Sequence, residues 1–181
     1  VLTATALKTL PPQALAQHWL NKIASEKAVA SMALSCEEAY AHANEKGWQL
    51  EGTWKSVGSA QLADIILLPA KTPAGETLLF AVNAHSEGLK ISPQTSLDTT
   101  RCSAVVQAIG VNLTQEQCLA QGPTAETLLT RIKYLGAIGL AAEQVGVAQA
   151  CLDMALAYVL ERQQFGRPIA SFQAIKISQP T

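Results

Sequence analysis

The spacing of apolar positions changes twice along this chain. Pro11-Pro12 open a stretch to about Ala24 in which Leu15, His18, Trp19 and Ile23 lie near one helical face. Residues 25–36 are rich in Ala, Ser and Met and suit either a strand or a loop. From Trp48 the period shortens to two. Trp48, Leu50 and Trp54 recur at even spacing, as in a half-buried strand. Ala63–Ala70 carries the apolar run Ile65-Ile66-Leu67-Leu68, Thr72-Pro73-Ala74-Gly75 forms a turn, and Thr77–Val82 returns. That pattern predicts a hairpin of covered strands. His85–Gly88 is a further turn and Ser103–Val111 a further strand, rich in Val and Ile. Four or five strands joined by short turns predict a mainly antiparallel sheet or small barrel.

Gly122-Pro123 marks the second change. Thr124–Gln164 has no Pro, and Leu128, Leu129, Ile132, Leu135, Leu140, Val145, Leu152, Ala155 and Val159 follow a helical pattern. A helix of about 40 residues spans roughly 60 Å. Gly136, Gly139 and Gly146 each cost it about 1 kcal/mol relative to Ala, which close helix–helix approach would offset. A lone helix cannot bury its own apolar face, so this one needs partner helices. The expected class is α+β. Residues 1–36 are a helical lead-in, 37–122 a β domain, and 123–181 the start of an incomplete helical bundle.

Composition narrows the partners. Charged residues are 15% of the 181, against about 25% in a typical domain, and aromatics are 5%. So apolar a surface, built largely of Ala, is expected to face other protein. The net charge of −1 gives no electrostatic footprint for nucleic acid. No apolar run is expected to cross a bilayer, and no secretion leader is expected before residue 10. Cys36, Cys102, Cys118 and Cys151 lie far apart, without metal or disulfide spacing, which suggests reduced thiols in a cytoplasm. His18, His42 and His85 are scattered, so no metal site is expected.

The densest chemical signal is the stretch 158–176. A helix runs into Arg162, Gly166 and Pro168 stop it, and Ser171 is a suitable N-cap for a second helix. That turn can bring Arg162 and Gln173 close beside a helix N-terminus, where backbone N–H groups and the dipole favour an anion. A guanidinium fork there adds two-pronged recognition of phosphate oxygens. On the residues alone, Arg162 equally suits a plainer role, complementing the dipole at its own helix end.

Arg162-Gln163-Gln164-Phe165-Gly166-Arg167-Pro168-Ile169, followed by Phe172-Gln173, resembles the hallmark of acyl-CoA dehydrogenases at the start of their C-terminal helical domain. The motif is long and mixed in residue type, hence specific. The order helix, sheet, long helix is also the family's. Gly52-Thr53-Trp54-Lys55, Ala63-Asp64, Leu97-Asp98-Thr99-Thr100-Arg101 and Trp19–Ala24 resemble weaker landmarks, so the likeness covers roughly residues 15–176. It implies FAD as cofactor, with Arg162, Gln164, Phe165 and Gln173 contacting the FAD of a neighbouring subunit. It implies a homo- or hetero-oligomer with shared FAD sites, an acyl-CoA substrate of fatty acid metabolism, and an electron-transfer flavoprotein as redox partner.

The departures are equally concrete. The family's Thr-Glu-Pro-x-Ala-Gly-Ser-Asp stretch, which holds flavin and substrate, matches Ser35-Cys36-Glu37-Glu38-Ala39-Tyr40-Ala41-His42, with only Glu37 retained. The resemblance thus puts this chain's own flavin cradle at Cys36, Ser56 and Gly58. Ser56 stands where the family has an aromatic flavin neighbour, and Gly58 where it has a hydroxyl. The resemblance puts the catalytic Glu far downstream of residue 181 in most members, and in some on the long helix at a position that aligns with Gly136, so no catalytic residue is assigned. Glu143, two turns on, reads as an ordinary helix-surface acid. The resemblance implies a flavoenzyme that takes hydrogen from Cα and Cβ of an acyl-CoA thioester. Two alternatives stand beside it: a non-catalytic subunit completing the FAD site of an active homologue, and an interaction module without flavin.

Overall fold

A computed structural model describes residues 1–36, 38–98 and 100–173. They form two compact units, 1–135 and 136–181. The class is α+β, as the two periods predict.

In the first unit, α1 (Leu2–Thr9) and α2 (Ala14–Ala24) precede the sheet strands. These are β1 (Ala30–Met32), β2 (Glu38–Asn44), β3 (Gly47–Gly58), β4 (Ile65–Lys71), β5 (Thr77–Asn83), β6 (Leu89–Pro93), β7 (Ser103–Thr114) and β8 (Cys118–Gln121). Their order is β6-β7-β3-β2-β4-β5-β8, with β1 added to β4. Pairing is antiparallel except where β1 and β2 meet β4. The hairpin β4–β5 forms in the expected register, Ile65 opposite Asn83 and Lys71 opposite Thr77.

The sheet has eight strands rather than four or five. The three that the pattern did not reveal are short or built on small residues. In β2 the buried positions are Ala39 and Ala41, whose weak apolarity hides the alternation. β6 and β8 have five and four residues. The lead-in also differs. Pro11-Pro12 lie in the link between α1 and α2, because Gln13 is the N-cap of α2. His18 is exposed and meets the edge of Trp19, at 5.5 Å.

Two apolar layers form. One face of the sheet gathers Leu50, Trp54, Val57, Ile66, Leu68, Phe80, Val106 and Leu113. The other packs Ile65, Leu67, Leu79 and Leu119 against Leu7 of α1, Trp19 of α2 and Leu128, Leu129 and Ile132 of the long helix. The alternation of β4 and β5 sends successive residues to opposite layers, and both are covered. Within the first layer Trp54 Nε1 donates to the Pro69 carbonyl at 2.8 Å. That bond satisfies a buried donor that would otherwise cost about 1–3 kcal/mol.

Helix α3 (Gly122–Glu161) starts where the sequence changes period. Its first turns belong to the first unit and bury Ala125, Leu128, Leu129 and Ile132. From Gly136 the helix belongs to the second unit, where Ile138, Val145, Val147, Met154 and Leu160 are exposed. A Cβ at Gly139 or Gly146 would meet nothing within 4 Å, so the close approach expected there has no partner among the described residues. The expectation about membranes is corrected: α3 is long and apolar enough to cross one by length and composition. Between Tyr134 and Leu152 the only charged side chain is Glu143. A helix apolar on all sides needs cover on all sides, whether from protein or from lipid.

Candidate functional site

The seven residues singled out by the sequence fall in both units, four in the second and three in the first.

In the second unit α3 ends at Glu161, three residues short of the expected Gln164. The cause is a tight antiparallel ribbon, β9 (Gln163–Gln164) with β10 (Arg167–Pro168), in register Gln164–Arg167 and Gln163–Pro168. Phe165 and Gly166 form its two-residue turn, at φ 53° and 76°. Positive φ at both central positions is the mirror-image turn that suits a hairpin. Gly166 is therefore left-handed, as expected, but in a hairpin rather than at a helix cap. The Ile169 N–H donates to the Arg162 carbonyl at 2.8 Å and closes the bend. Arg162 itself donates its N–H to Tyr158 in the last turn of α3, so its cation sits at a helix C-terminus.

The bend exposes its chemistry. Arg162, Gln164 and Gln173 are exposed, and Phe165 is 92% exposed on the turn. Among the described residues the Arg162 guanidinium makes no ion pair, which leaves its fork available. Phe172 is held from two sides. Its ring meets Phe165 edge-on at 6.3 Å, and the Arg167 guanidinium lies 4.2 Å from its centroid. Arg167 and Phe172 had no role in the sequence reading. Their signal was a cation and an aromatic five residues apart across a turn. Ser171 lies in a 3-10 turn, Ile169–Ser171, with its hydroxyl buried and unpartnered among the described residues. It is not the expected N-cap there, and the helix expected after it enters the described residues only at Gln173, its remainder lying outside them.

In the first unit Ser56 and Gly58 end β3. A bulge between Trp54 and Val57 takes Lys55 and Ser56 out of register with β7. Ser56 and Ser59 take φ of 55° and 56°, uncommon for residues with a Cβ. A Cβ at Gly58 would meet nothing within 4 Å, so its outer face is open.

Cys36 is half-buried and lines a cavity of about 420 Å³ with Ser35, Lys71, Thr77, Glu126 and Lys133. Thr77 Oγ1 donates to Glu126 Oε1 at 3.2 Å, which ties β5 to α3 at the cavity's wall. Two lysines and three hydroxyls (Ser35, Thr77 and Thr130) outweigh the single Glu126 carboxylate in this hollow and suit it to an anion, and Lys71 and Lys133 carried no role in the sequence reading. Glu37, the retained acid of the matching stretch, lies outside the described residues. From Glu38 onward that stretch is β2.

Two ionisable groups are displaced from their usual range. The Thr100 hydroxyl, at 2.6 Å, and the Thr100 N–H, at 2.9 Å, hold the Asp98 carboxyl below the ordinary value. Burial pushes the Cys118 thiol up. Among the described residues no cluster of His, Cys, Asp or Glu could hold a metal ion.

The family "Acyl-CoA dehydrogenase, C-terminal domain" matches residues 129–178. Acyl-CoA dehydrogenase FadE27 of Mycobacterium tuberculosis is 32% identical over 181 residues, covering 97% of this chain and 46% of its own length. The ChsE4-ChsE5 complex from Mycobacterium tuberculosis contains a chain 29% identical, with a TM-score of 0.83 over 97% of this chain and 48% of that one. A glutaryl-coenzyme A dehydrogenase in its glutaryl-CoA complex is 25% identical, with a TM-score of 0.87 over 96% of this chain and 48% of that one. The chain spans about half the length of the relatives it matches.

Proposed function

This chain belongs to the acyl-CoA dehydrogenase family, and we propose that it is a flavoprotein part of an enzyme that dehydrogenates an acyl-CoA thioester between Cα and Cβ, with FAD as hydride acceptor. The observation that carries this reading is the exposed, closed bend at 162–173 in the segment that the family profile matches. The donor set fits the group. A guanidinium and two carboxamides can donate to the oxygens of a diphosphate, and Arg supplies two parallel bonds. The open outer face of Gly58 and the small side chain of Ser56 leave room for a flat ring system. Bound FAD would supply acceptance of the β-hydride. The residues of this chain bind, orient and shield.

In this reading Arg162, Gln164, Phe165 and Gln173 engage FAD held mostly by a neighbouring protomer. Cys36, Ser56 and Gly58 border the chain's own flavin. A relative solved as a two-protein complex supports hetero-assembly. Partner helices, rather than lipid, cover α3, because its many Ala positions and Gly136, Gly139 and Gly146 favour close protein packing. The redox partner is an electron-transfer flavoprotein.

The stretch 35–42 keeps only Glu37 of the residues by which the family holds flavin and substrate. That favours the second reading, a subunit that completes the FAD site of an active homologue. Purified protein tested with an acyl-CoA and an artificial electron acceptor separates the two. Flavin absorbance that survives gel filtration, with no turnover by these 181 residues, is the expected result. Turnover by the chain alone eliminates the partner-subunit reading, and colourless protein that takes up no FAD sinks both.

The cavity beside Cys36 suits the phosphates of coenzyme A, with Lys71 and Lys133 as the cations. Each exposed charge contact is worth about 0.2–1 kcal/mol. Lys71→Ala with Lys133→Ala is therefore expected to weaken coenzyme A binding by about threefold to tenfold and to flatten its dependence on salt. A wild-type affinity that falls with added salt, lost in the double variant, is the signature in a calorimetric titration.

A further inference from the structure

We propose that Gln94 is a positioning residue that holds the Ser56–Ser59 rim of β3 in shape for a flavin ring. This rests on the flavin reading above. The rim has an unusual backbone. Ser56 and Ser59, neither of them Gly, both sit at positive φ on either side of Val57-Gly58. Residues persist in such sparsely populated regions when their surroundings over-determine them, at roughly 1–3 kcal/mol each. Four hydrogen bonds supply that constraint here.

Gln94 Oε1 accepts the Ser56 N–H at 2.9 Å, where the bulge has removed the strand partner. The Gln94 backbone N–H donates to the Ser103 carbonyl at 2.9 Å, which fixes the base of the side chain to β7. At the other end Ser31 Oγ donates to the Gly58 carbonyl at 2.6 Å, and the Ser59 N–H donates to the Cys102 carbonyl at 2.8 Å. Ser31 is 4% exposed, a polar side chain drawn into the interior for this one bond. Between the pins Val57 is buried in the core cluster, so the rim cannot slide inward. The outer face that remains is Ser56 and Gly58, a hydroxymethyl and a hydrogen, with open space over the glycine.

Of the four bonds, the one from Gln94 is the only one made by a side chain to the strained Ser56. It acts on the rim from outside β3. Without it, the Ser56 N–H has no partner in the ladder and the residue is free to relax to negative φ.

The test uses the full chain, with Gln94→Ala, Gln94→Leu and Gln94→Glu. Two quantities are measured: amide hydrogen exchange at Ser56 without FAD, and FAD affinity by flavin fluorescence. Gln94→Ala is expected to speed exchange at Ser56 and to weaken FAD binding by about threefold to tenfold, the scale of one net hydrogen bond. Gln94→Glu keeps an acceptor oxygen and is expected to restore both. Gln94→Leu keeps the bulk and serves where the alanine variant does not fold. FAD bound equally well by wild type and both acceptor-less variants overturns the role of Gln94 and leaves the flavin reading intact. Loss that Gln94→Glu fails to restore also overturns it. Wild type that binds no FAD overturns the rim and the flavin reading together.

Discussion

Arg162→Ala is expected to weaken FAD binding by about tenfold to a hundredfold. The basis is the strength of charge-assisted hydrogen bonds, about 1.5–3 kcal/mol for a group that bonds an ionised oxygen. Arg162 is placed to make such bonds. Its backbone is tied at both ends, to Tyr158 in the helix and to Ile169 across the bend, while its side chain stays exposed. Arg162→Lys keeps the charge but loses the planar fork, so it should fall between wild type and alanine. The plainer role for Arg162, a cation at a helix C-terminus, makes a different forecast. It predicts a loss of helix stability of about 0.3–1 kcal/mol and no change in flavin. Titrating FAD into wild type and both variants, beside thermal unfolding of each, separates the two. Unchanged affinity with lowered stability would assign Arg162 to the dipole alone.

How far the sequence foretold this arrangement depended on the size of the residues involved. Strands built on Ile, Leu, Val and Trp announce themselves by alternation, so β3, β4, β5 and β7 were legible. β2 was not, because Ala39 and Ala41 are buried on a face that the wider pattern does not mark as apolar. At the bend, Gly166 and Pro168 rightly signalled a stop. They did not distinguish a helix cap from a hairpin, since both use a left-handed glycine. The pairing of Gln164 with Arg167 decides that, and it depends on contacts across the turn. Gln94 was invisible for the same reason. Its partner, Ser56, lies 38 residues away, and no local spacing reports such a bond. Lys71 and Lys133 likewise sit on a strand end and a helix that only folding brings to one cavity.

Phe80→Ala is expected to destabilise the chain by about 3–5 kcal/mol, the range for emptying a buried aromatic site. Phe80 is fully buried, lies opposite Leu68 in the hairpin, and meets Trp48 edge-on at 5.8 Å. The cavity left behind would be walled by strands whose backbones are held in a ladder, so it can collapse only partly. Leu160→Ala on α3 gives the contrast. The residue is 63% exposed, so little of its apolar area is removed from water within this chain. That substitution should cost well under 1 kcal/mol here, and more once partner helices cover α3. Urea unfolding of both variants checks the pair. The comparison bears on function because Phe80, Trp54 and Val57 share one core layer, and Trp54 and Val57 bracket the bulge that carries Ser56. A loosened core should release that bulge before the sheet unfolds as a whole. If Phe80→Ala proves as mild as Leu160→Ala, the packed sheet does not fix the rim, and the preformed cradle at Ser56 and Gly58 falls with it.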